Sequence, residues 1–416
     1  MNTVHENRLL LGGHDAQALV KAHGTPLYVY EAEVIRGQCR LLRDSFADVA
    51  PEFHFAVKSN FNPAILGILR EEGLNIDAVS PFEVRLCLAV GFAPEQILYT
   101  GNNASEADLR YCLEQGVAVN LGSLGELERY GEMNPGGSVS LRINPDVGAG
   151  HHHHVITGGP HSKFGIYHTE HEAILARLAR HNLRLVGIHS HIGTGILETA
   201  DMLRAMEIIL RTAAPFDDLE FINFGGGLGI PYRPGEQPLP IAELGREMAR
   251  RFREFCGVYG RPLRMKLEPG RIVVGPAGTL LVQVTNIQST PAHTFVGTDS
   301  GFNHLVRPAL YGAYHEVLNA TRVEGVQQSV VVAGNLCESG DVFTQNKVGL
   351  EDRLLTTPRV GDLLAFRDTG AYGMSQSSQY NLRPRPAEIM LEGGDVRLIR
   401  RRESFEDLIR NFPDLD

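Results

Sequence analysis

Lys58 ends an otherwise apolar run, Phe53-His-Phe-Ala-Val-Lys58, and its amine is the first candidate for chemistry. A lysine on a buried strand is costly unless it is neutralised or paired. A desolvated amine can form a Schiff base with an aldehyde, so an aldehyde cofactor is one explanation for this position. Taken by itself, the residue is explained better by a side chain that extends to solvent at a strand end.

Three consecutive glycines, Gly225, Gly226 and Gly227, form a second candidate site. They expose successive backbone N–H groups and allow an anion to approach closely. The segment is not the dinucleotide-binding fingerprint, because Ile230 occupies the position of the third required glycine. A tight turn and a phosphate site are both compatible with these residues alone.

A carboxylate and a guanidinium lie close together in the segment Glu268-Pro-Gly270-Arg271. A carboxylate can stabilise the protonated ring nitrogen of a cofactor, and the fork of an arginine can bind a substrate carboxylate. In isolation, an ordinary ion pair at a turn is the simpler interpretation.

Two histidines, His189 and His191, stand two residues apart in Gly187-Ile-His-Ser-His-Ile. Such a pair can bind a metal ion, but no third ligand follows at a matching spacing, so we predict no metal site. The run His151-His-His-His154 looks like a purification tag but is internal, so it is interpreted as a polar loop rather than a metal site.

Most of these candidates follow apolar runs that alternate with helical patterns from about residue 53 to about residue 271. The alternation favours a (β/α)8 barrel, although it also fits an open doubly wound sheet. Barrel active sites lie at the C-terminal ends of the strands, so we expect the candidates to meet there. The predicted strands are Phe53–Lys58, Asn75–Ser80, Ile97–Gly101, Val117–Leu121, Val139–Asn144, Leu185–His191, Leu219–Phe224 and Met265–Glu268. Predicted helices include Pro63–Glu72, Pro81–Val90, Glu106–Gln115 and His171–Arg180.

The pattern changes after about residue 280, where short strand-like runs are separated by Gly, Asn and Pro turns. No helical pattern links these runs, so we predict a second, all-β domain that begins between Gly278 and Ser289. The predicted strands of this domain are Leu280–Ile287, Ser329–Ala333, Asp362–Phe366, Glu388–Leu391 and Val396–Arg400.

Composition is that of a globular enzyme: 416 residues, of which 43% are hydrophobic and 21% are charged, are enough for two domains. A net charge of −10 argues against nucleic acid or an anionic membrane surface as a partner. No run of 18 apolar residues is present, so no membrane span is expected. Five cysteines without a C-x-x-C pair predict free thiols and therefore a cytoplasmic location.

Two C-terminal segments, Gly370-Ala-Tyr372-Gly-Met-Ser and Cys337-Glu-Ser-Gly-Asp341, carry a family resemblance together with Phe55-Ala-Val-Lys58-Ser-Asn60. Over nearly the whole chain the sequence resembles the pyridoxal-phosphate-dependent diaminopimelate decarboxylases. The resemblance implies pyridoxal 5'-phosphate as cofactor and decarboxylation of meso-2,6-diaminopimelate to L-lysine, the last step of lysine biosynthesis. It also implies that the strand Pro26–Tyr30 joins a C-terminal β-sandwich or barrel, which gives domains of residues 33–282 and of residues 1–32 with 283–416.

The resemblance also implies roles for individual residues. Lys58 is expected to bind the cofactor aldehyde, His191 to stack on the cofactor ring, and Cys337 to protonate the carbanion left by carbon dioxide. The expected cofactor-binding residues are Lys58, Asp77, His191, Gly225, Gly226, Gly227, Glu268, Gly270, Arg271 and Tyr372, with Glu83 in support. The expected substrate-binding residues are Arg271, Arg307, Tyr311, Glu338 and Tyr372.

A diacid substrate requires a second cation for its distal carboxylate, and Arg307 with Arg271 supplies that chemistry. In the resembling family the segment Cys337-Glu338 reaches the cofactor of the other subunit, so a homodimer with shared active sites is expected. Three alternatives remain: a related decarboxylase acting on a basic amino acid such as ornithine or arginine, a racemase, and a non-catalytic regulator. The first would need an acidic pocket in place of Arg307, and the last would be expected to lack Lys58 or Cys337.

Overall fold

The computed structural model describes residues 3–148 and 158–415, so the predicted loop His151–His154 lies outside the described residues. The chain forms two compact units. The first, the barrel unit, comprises Arg36–Pro231 and Gln237–Ile272. The second, the sheet unit, comprises Met1–Ile35, Tyr232–Glu236 and Val273–Asp416. The sequence-based division placed residues 33–282 in one domain, whereas the units divide earlier at the second boundary, because the strand that begins at Gly278 already pairs within the sheet unit.

Eight parallel strands of the barrel unit pair in chain order, and the last pairs with the first. The closing pair joins Lys266 to Glu52, so the predicted closed barrel is confirmed and the open sheet is wrong. The strands are β1 (Glu52–Ala56), β2 (Asn75–Ala78), β3 (Ile97–Tyr99), β4 (Ala118–Leu121), β5 (Ser138–Asn144), β6 (Arg184–His189), β7 (Phe221–Asn223) and β8 (Arg264–Leu267).

Helices follow the barrel strands, and local sequence fixes several of their ends. Pro81–Val90 begins after Ser80, whose hydroxyl accepts a hydrogen bond from the Glu83 N–H, and ends at Gly91 in the left-handed conformation. Ser105 and Asp108 form a capping box at the start of Glu106–Glu114. The helices of this unit are Pro63–Glu71, Pro81–Val90, Glu106–Glu114, Leu124–Met133, His171–His181, Thr199–Ala213 and Ile241–Tyr259. The helix Ala32–Ser45 precedes the first strand, and the short helix Arg271–Val274 follows the last.

Several predicted strands extend too far at their C-terminal ends. β1 ends at Ala56, and Lys58 lies in the following 3-10 turn, Val57–Ser59. β6 ends at His189, so His191 lies beyond the strand, and Glu268 directly follows β8. Each strand ends just before its polar residue, because the chain leaves the barrel wall at that point. These residues therefore occupy the loops at the C-terminal ends of the strands.

The sheet unit is built around Gly278–Ser289, which pairs with the N-terminal strand Leu27–Glu31, with Leu363–Phe366 and with Thr294–Thr298. Because Leu27–Glu31 also pairs with Ala387–Glu392, the prediction that the N-terminal strand joins this domain is confirmed. The remaining strands are Thr3–His5, Arg8–Leu11, His14–Asp15, Val317–Asn319, Gln327–Ala333, Gln345–Asn346, Gly349–Leu350, Arg353–Thr356 and Asp395–Arg400, and the helices are Ala16–His23, Arg307–Tyr311 and Phe405–Ile409.

Within the described parts of the chain, no helix combines the length and apolar character that a membrane crossing requires.

Candidate active site

The Lys58 amine lies 3.9 Å from the Asp77 carboxylate at the C-terminal ends of β1 and β2. The Lys58 side chain is 40% exposed, whereas that of Asp77 is 1% exposed. One Asp77 oxygen accepts a hydrogen bond from the Thr100 hydroxyl, and the other has no hydrogen-bond partner among the described residues. Burial and the nearby Glu268 carboxylate raise the pKa of Asp77, and Lys58 opposes this shift.

Glu83 supports the same corner of the barrel by accepting a hydrogen bond from the Val79 N–H at 2.7 Å. Burial raises the pKa of Glu83 to about 7, and the Asp77 carboxylate adds to this shift. The side chain is therefore largely protonated below this pH, as expected for two acids that share a poorly hydrated region.

Replacing Glu83 by glutamine is expected to make unfolding less dependent on pH. Between the ordinary glutamate pKa and about 7, the native state binds more protons than the unfolded state, so the free energy of unfolding falls as pH rises. The E83Q variant lacks this titration, and its stability relative to the parent should increase by up to about 3 kcal/mol across that window. Urea unfolding of both proteins without cofactor at several pH values measures the difference.

Glu114→Gln, at an exposed position in the same unit, is the matched control. Its stability relative to the parent should stay constant over the same pH range. If the difference in unfolding free energy between E83Q and the parent were also constant over this pH range, Glu83 would already be ionised at low pH in the native protein.

Glu268 is buried and accepts two hydrogen bonds, from His189 Nε2 at 3.0 Å and from Asn223 Nδ2 at 2.8 Å. Burial alone would oppose ionisation, but the hydrogen bond and charge of His189, with smaller contributions from His191 and Lys58, hold the pKa of Glu268 well below its usual range. The barrel therefore holds a buried, ionised carboxylate beside β6 and β7. The second ring nitrogen of His189, Nδ1, has no hydrogen-bond partner among the described residues.

His191 is held as a neutral imidazole. Its Nδ1 accepts a hydrogen bond from the Gly226 N–H at 3.0 Å, so the ring proton resides on Nε2. Burial, followed by the positive charges of Lys58 and Arg142, places the pKa of His191 well below its usual value. A neutral imidazole ring is suited to stacking on an aromatic group.

The three glycines form a turn in which Gly225 and Gly226 could not carry side chains, because added Cβ atoms would collide with neighbouring backbone. A Cβ on Gly226 would lie 2.1 Å from the carbonyl oxygen of Glu268, and one on Gly225 would lie 2.3 Å from that of Ser190. Gly225 and Gly227 have φ values of 68° and 105°, in the region that favours glycine. The N–H of Gly225 donates to Asn223 Oδ1, which fixes the start of the turn beside Glu268.

Gly270 and Arg271 follow β8 and lie at the same end of the barrel. A Cβ on Gly270 would lie 3.1 Å from the Ser59 hydroxyl oxygen, so this glycine packs against the turn that carries Lys58. Arg271 is buried and directs Nε and Nη2 toward the Thr194 hydroxyl, both at 3.4 Å. The structure thus brings together the predicted candidates of the barrel unit: Lys58, Asp77, Glu83, His191, Gly225, Gly226, Gly227, Glu268, Gly270 and Arg271.

The other candidates belong to the sheet unit, where contacts join their segments. Gln376 Nε2 donates to the Tyr311 hydroxyl at 3.4 Å, which links the helix Arg307–Tyr311 to the segment that contains Tyr372. The Cys337 N–H donates to Asn381 Oδ1 at 2.8 Å, which links the cysteine loop to the same segment. Three motifs far apart in the sequence are therefore neighbours in this unit.

Cys337 and Glu338 are exposed at the tip of a loop whose base is held by hydrogen bonds to Asp341. Asp341 is buried and accepts hydrogen bonds from the N–H groups of Leu336 and Phe302, at 2.7 Å and 2.6 Å. The loop therefore exposes the Cys337 thiol and the Glu338 carboxylate to solvent, while its base is held by Asp341.

Tyr372 adopts a φ of 58°, which is unusual for an aromatic residue and costs backbone energy. A Cβ on its neighbour Gly373 would lie 2.4 Å from the Thr369 carbonyl oxygen, and one on Gly370 would lie 1.9 Å from that of Val274. The segment is therefore held in one tight conformation, as is common where a side chain is aimed at a ligand.

Residues 32–275 match the family described as pyridoxal-dependent decarboxylase, pyridoxal binding domain. A diaminopimelate decarboxylase of Methanothermobacter thermautotrophicus is 45% identical, over 97% of this chain and 95% of its own. The chain belongs to the diaminopimelate decarboxylase family. Solved structures agree: the enzyme from M. jannaschii aligns with a TM-score of 0.90 at 31% identity, covering 100% of this chain and 99% of the other. The Helicobacter pylori enzyme complexed with L-lysine aligns at 0.87 and 30% identity, covering 95% and 98%.

His304 and Gln376 make polar contacts that join segments of the sheet unit. His304 is buried, and its ring nitrogens contact the Ser300 hydroxyl and the Pro384 carbonyl oxygen, both at 3.0 Å. Burial lowers its pKa to about 4, so it is a neutral group that ties the chain together. Gln376 keeps a polar contact with Tyr311.

Three site residues were missed in the sequence: Thr100, Arg142 and Asn223. Arg142 lies inside the predicted strand Val139–Asn144, and a charged residue within such a run was a usable signal. It is buried, donates to the His191 carbonyl oxygen at 3.3 Å, and has its pKa lowered to about 10 by burial. Thr100 and Asn223 carried no such signal, because short polar residues at strand ends are common in turns. The described residues include no group of three or more His, Cys, Asp or Glu side chains arranged to hold a metal ion.

Proposed function

We propose that the chain is a pyridoxal-phosphate-dependent decarboxylase that converts meso-2,6-diaminopimelate to L-lysine and carbon dioxide. The observation that carries the proposal is the pairing of a lysine amine near Asp77 with an ionised, buried Glu268 at one end of the barrel. The relative that is 45% identical over nearly the whole chain supports this choice of substrate.

The barrel residues fit pyridoxal phosphate part by part. Lys58 has an accessible amine for the aldehyde, and the turn of Gly225, Gly226 and Gly227 has the backbone character of a phosphate site. Glu268 is ionised and can stabilise a protonated ring nitrogen, and neutral His191 can stack on the ring. Asp77, one of whose buried oxygens has no hydrogen-bond partner among the described residues, lies 3.9 Å from the Lys58 amine and can orient it.

When bound, pyridoxal phosphate supplies an electron sink for the charge left on the α-carbon as carbon dioxide departs. Lys58 is the residue that would hold the cofactor aldehyde, and its amine would be available to release the product. Glu268 keeps its negative charge throughout, because His189 and Asn223 stabilise the carboxylate form. The Cys337 thiol delivers a proton to the carbon that lost the carboxylate.

The substrate is proposed to be held by cations at both of its ends. Arg271 binds one carboxylate and Arg307 binds the distal one, since a guanidinium fork matches carboxylate geometry. Tyr311, Glu338 and Tyr372 are proposed to supply hydrogen-bond partners, with Glu338 placed to bind an ammonium group. A buried arginine at position 307 disfavours substrates that end in an ammonium group.

We also propose a homodimer in which the Cys337 loop of one subunit completes the active site of the other. The exposed tip and fixed base of this loop support the proposal. Mixing an inactive Lys58→Ala chain with an inactive Cys337→Ala chain should then restore about a quarter of the parent activity, because half of the dimers regain one complete site. No recovery, with subunit exchange verified by light scattering and a tag, would contradict sharing.

The function is tested by supplying the purified protein and pyridoxal phosphate with meso-diaminopimelate, L-ornithine, L-arginine and L-lysine in parallel. Carbon dioxide is measured and the amine product is identified. Release of carbon dioxide from diaminopimelate alone, with lysine as product, is expected. Turnover of a basic amino acid instead would overturn the distal role of Arg307, and no turnover with bound cofactor would favour a regulatory protein.

We propose that the protein works in a reducing compartment, the cytoplasm. All five cysteines are free thiols, and burial raises the pKa of Cys39, Cys87 and Cys112 to about 12, which makes them poor nucleophiles. Cell fractionation followed by thiol counting on the isolated protein is the test, and a finding in a secreted fraction would refute the location.

A further inference from the structure

His315 contacts the buried guanidinium of Arg307 in the sheet unit. Arg307 is 2% exposed, and its Nη1 lies 2.7 Å from His315 Nε2. His315 Nδ1 lies 2.8 Å from the carbonyl oxygen of Arg367. The imidazole, itself 3% exposed, thus connects the arginine side chain to the backbone of another segment.

These contacts determine which ring nitrogen carries the proton. A guanidinium can only donate hydrogen bonds, so His315 Nε2 must accept. A carbonyl oxygen can only accept, so His315 Nδ1 must donate. His315 is therefore a neutral imidazole. The Arg367 carbonyl oxygen sets its orientation, and the lone pair of Nε2 points at Arg307.

A second contact restricts the guanidinium from another side. The central carbon of the Arg307 guanidinium lies 4.5 Å from the ring centre of Tyr232, and the His315 ring lies edge-on to the same ring at 5.2 Å. A tyrosine face and a neutral imidazole both hold a cation without cancelling its charge. Arg307 is consequently oriented by two side chains that carry no negative charge.

We propose that His315 is a positioning residue that orients Arg307 for the distal carboxylate of the substrate. The inference rests on the proposed function, since it assigns to Arg307 the distal carboxylate, which diaminopimelate carries into the product L-lysine. Losing the His315 acceptor leaves the Arg307 charge in place but frees its orientation, so substrate binding weakens while the chemistry at the other end continues.

Two variants separate the two hydrogen bonds of His315. In His315→Asn the shorter amide can still donate to the Arg367 carbonyl but does not reach Arg307. In His315→Gln the amide oxygen can take the place of Nε2 and accept from Arg307. We expect H315N to raise KM for diaminopimelate about tenfold with kcat within about threefold of the parent, and H315Q to recover most of the loss.

L-Lysine and 1,5-diaminopentane provide an internal comparison, because the product L-lysine retains the distal carboxylate and 1,5-diaminopentane lacks it. In competition with diaminopimelate, the inhibition constant of L-lysine should rise in H315N and recover in H315Q, whereas that of 1,5-diaminopentane should be the same in the parent, H315N and H315Q proteins. His293→Asn, a change at a histidine outside the proposed site, should leave KM and kcat unchanged, and thermal melting should show that all variants are folded.

Two results would overturn the inference while leaving the proposed function intact. One is an H315N variant with unchanged KM in a parent that decarboxylates diaminopimelate. The other is an equal loss of affinity for 1,5-diaminopentane and diaminopimelate, which would indicate general disruption rather than orientation of Arg307. A parent protein that does not act on diaminopimelate would remove the proposed function and, with it, this inference.

Discussion

Replacing Lys58 by alanine is expected to lower kcat for diaminopimelate on the order of 10³-fold. The Lys58 amine is the accessible nucleophile of the site, 3.9 Å from a carboxylate that is 1% exposed. Without it, the protein loses both the covalent hold on the cofactor aldehyde and the group that releases the product. Single-turnover decarboxylation by the K58A variant, loaded with excess pyridoxal phosphate, measures the loss directly.

Lys21→Ala, at an exposed helical position, is the matched control and should retain the parent rate. Borohydride reduction followed by peptide mass spectrometry should place the cofactor on the peptide that contains Lys58 and on no Lys21 peptide. A K58A rate within tenfold of the parent, or cofactor attached to another lysine, would refute the assignment.

The barrel was predictable because its strands are buried on both faces and therefore appear as short apolar runs. The prediction Ile97–Gly101 located β3 correctly and only missed its end at Tyr99. The sheet unit was less predictable. Val317–Asn319 has three residues, and Arg353–Thr356 begins with a charged one, so their own sequences carry little β pattern. Such strands exist because their partners, Leu363–Phe366 and Gln327–Ala333, provide the pairing.

Some residues of the candidate site were also predictable from the sequence, and others were not. Lys58 and Glu268 were identifiable because a charged residue that ends an apolar run needs an explanation. Their roles came from the family resemblance and not from the pattern. The groups that set their charge states could not be read from sequence, because Asn223 and His189 reach Glu268 across neighbouring strands. Pairing between β6, β7 and β8 brings these residues together, and that register follows from barrel closure rather than from any local motif.

Replacing Glu268 by glutamine is expected to lower kcat by about 10²-fold to 10³-fold. The substitution keeps the size of the side chain but removes the negative charge that the site stabilises. Glutamine can accept a hydrogen bond from His189 or from Asn223 at its single oxygen but presents an NH₂ group to the other donor, so one of the two contacts at 3.0 Å and 2.8 Å is lost. Measuring both kcat and cofactor affinity for E268Q and the parent protein shows whether the Glu268 charge acts in the reaction or in cofactor binding.

If Glu268 stabilises the protonated cofactor ring in the reaction, E268Q should lose rate even when fully loaded with cofactor. Absorbance titration with pyridoxal phosphate verifies loading, and Glu220→Gln, at an exposed ion pair before β7, is the control that should keep the parent rate. A loaded E268Q protein that decarboxylates within tenfold of the parent would mean that the buried charge serves folding of the barrel alone. The energetic cost of keeping that carboxylate ionised inside the barrel, offset by His189 and Asn223, argues that the reaction depends on its charge.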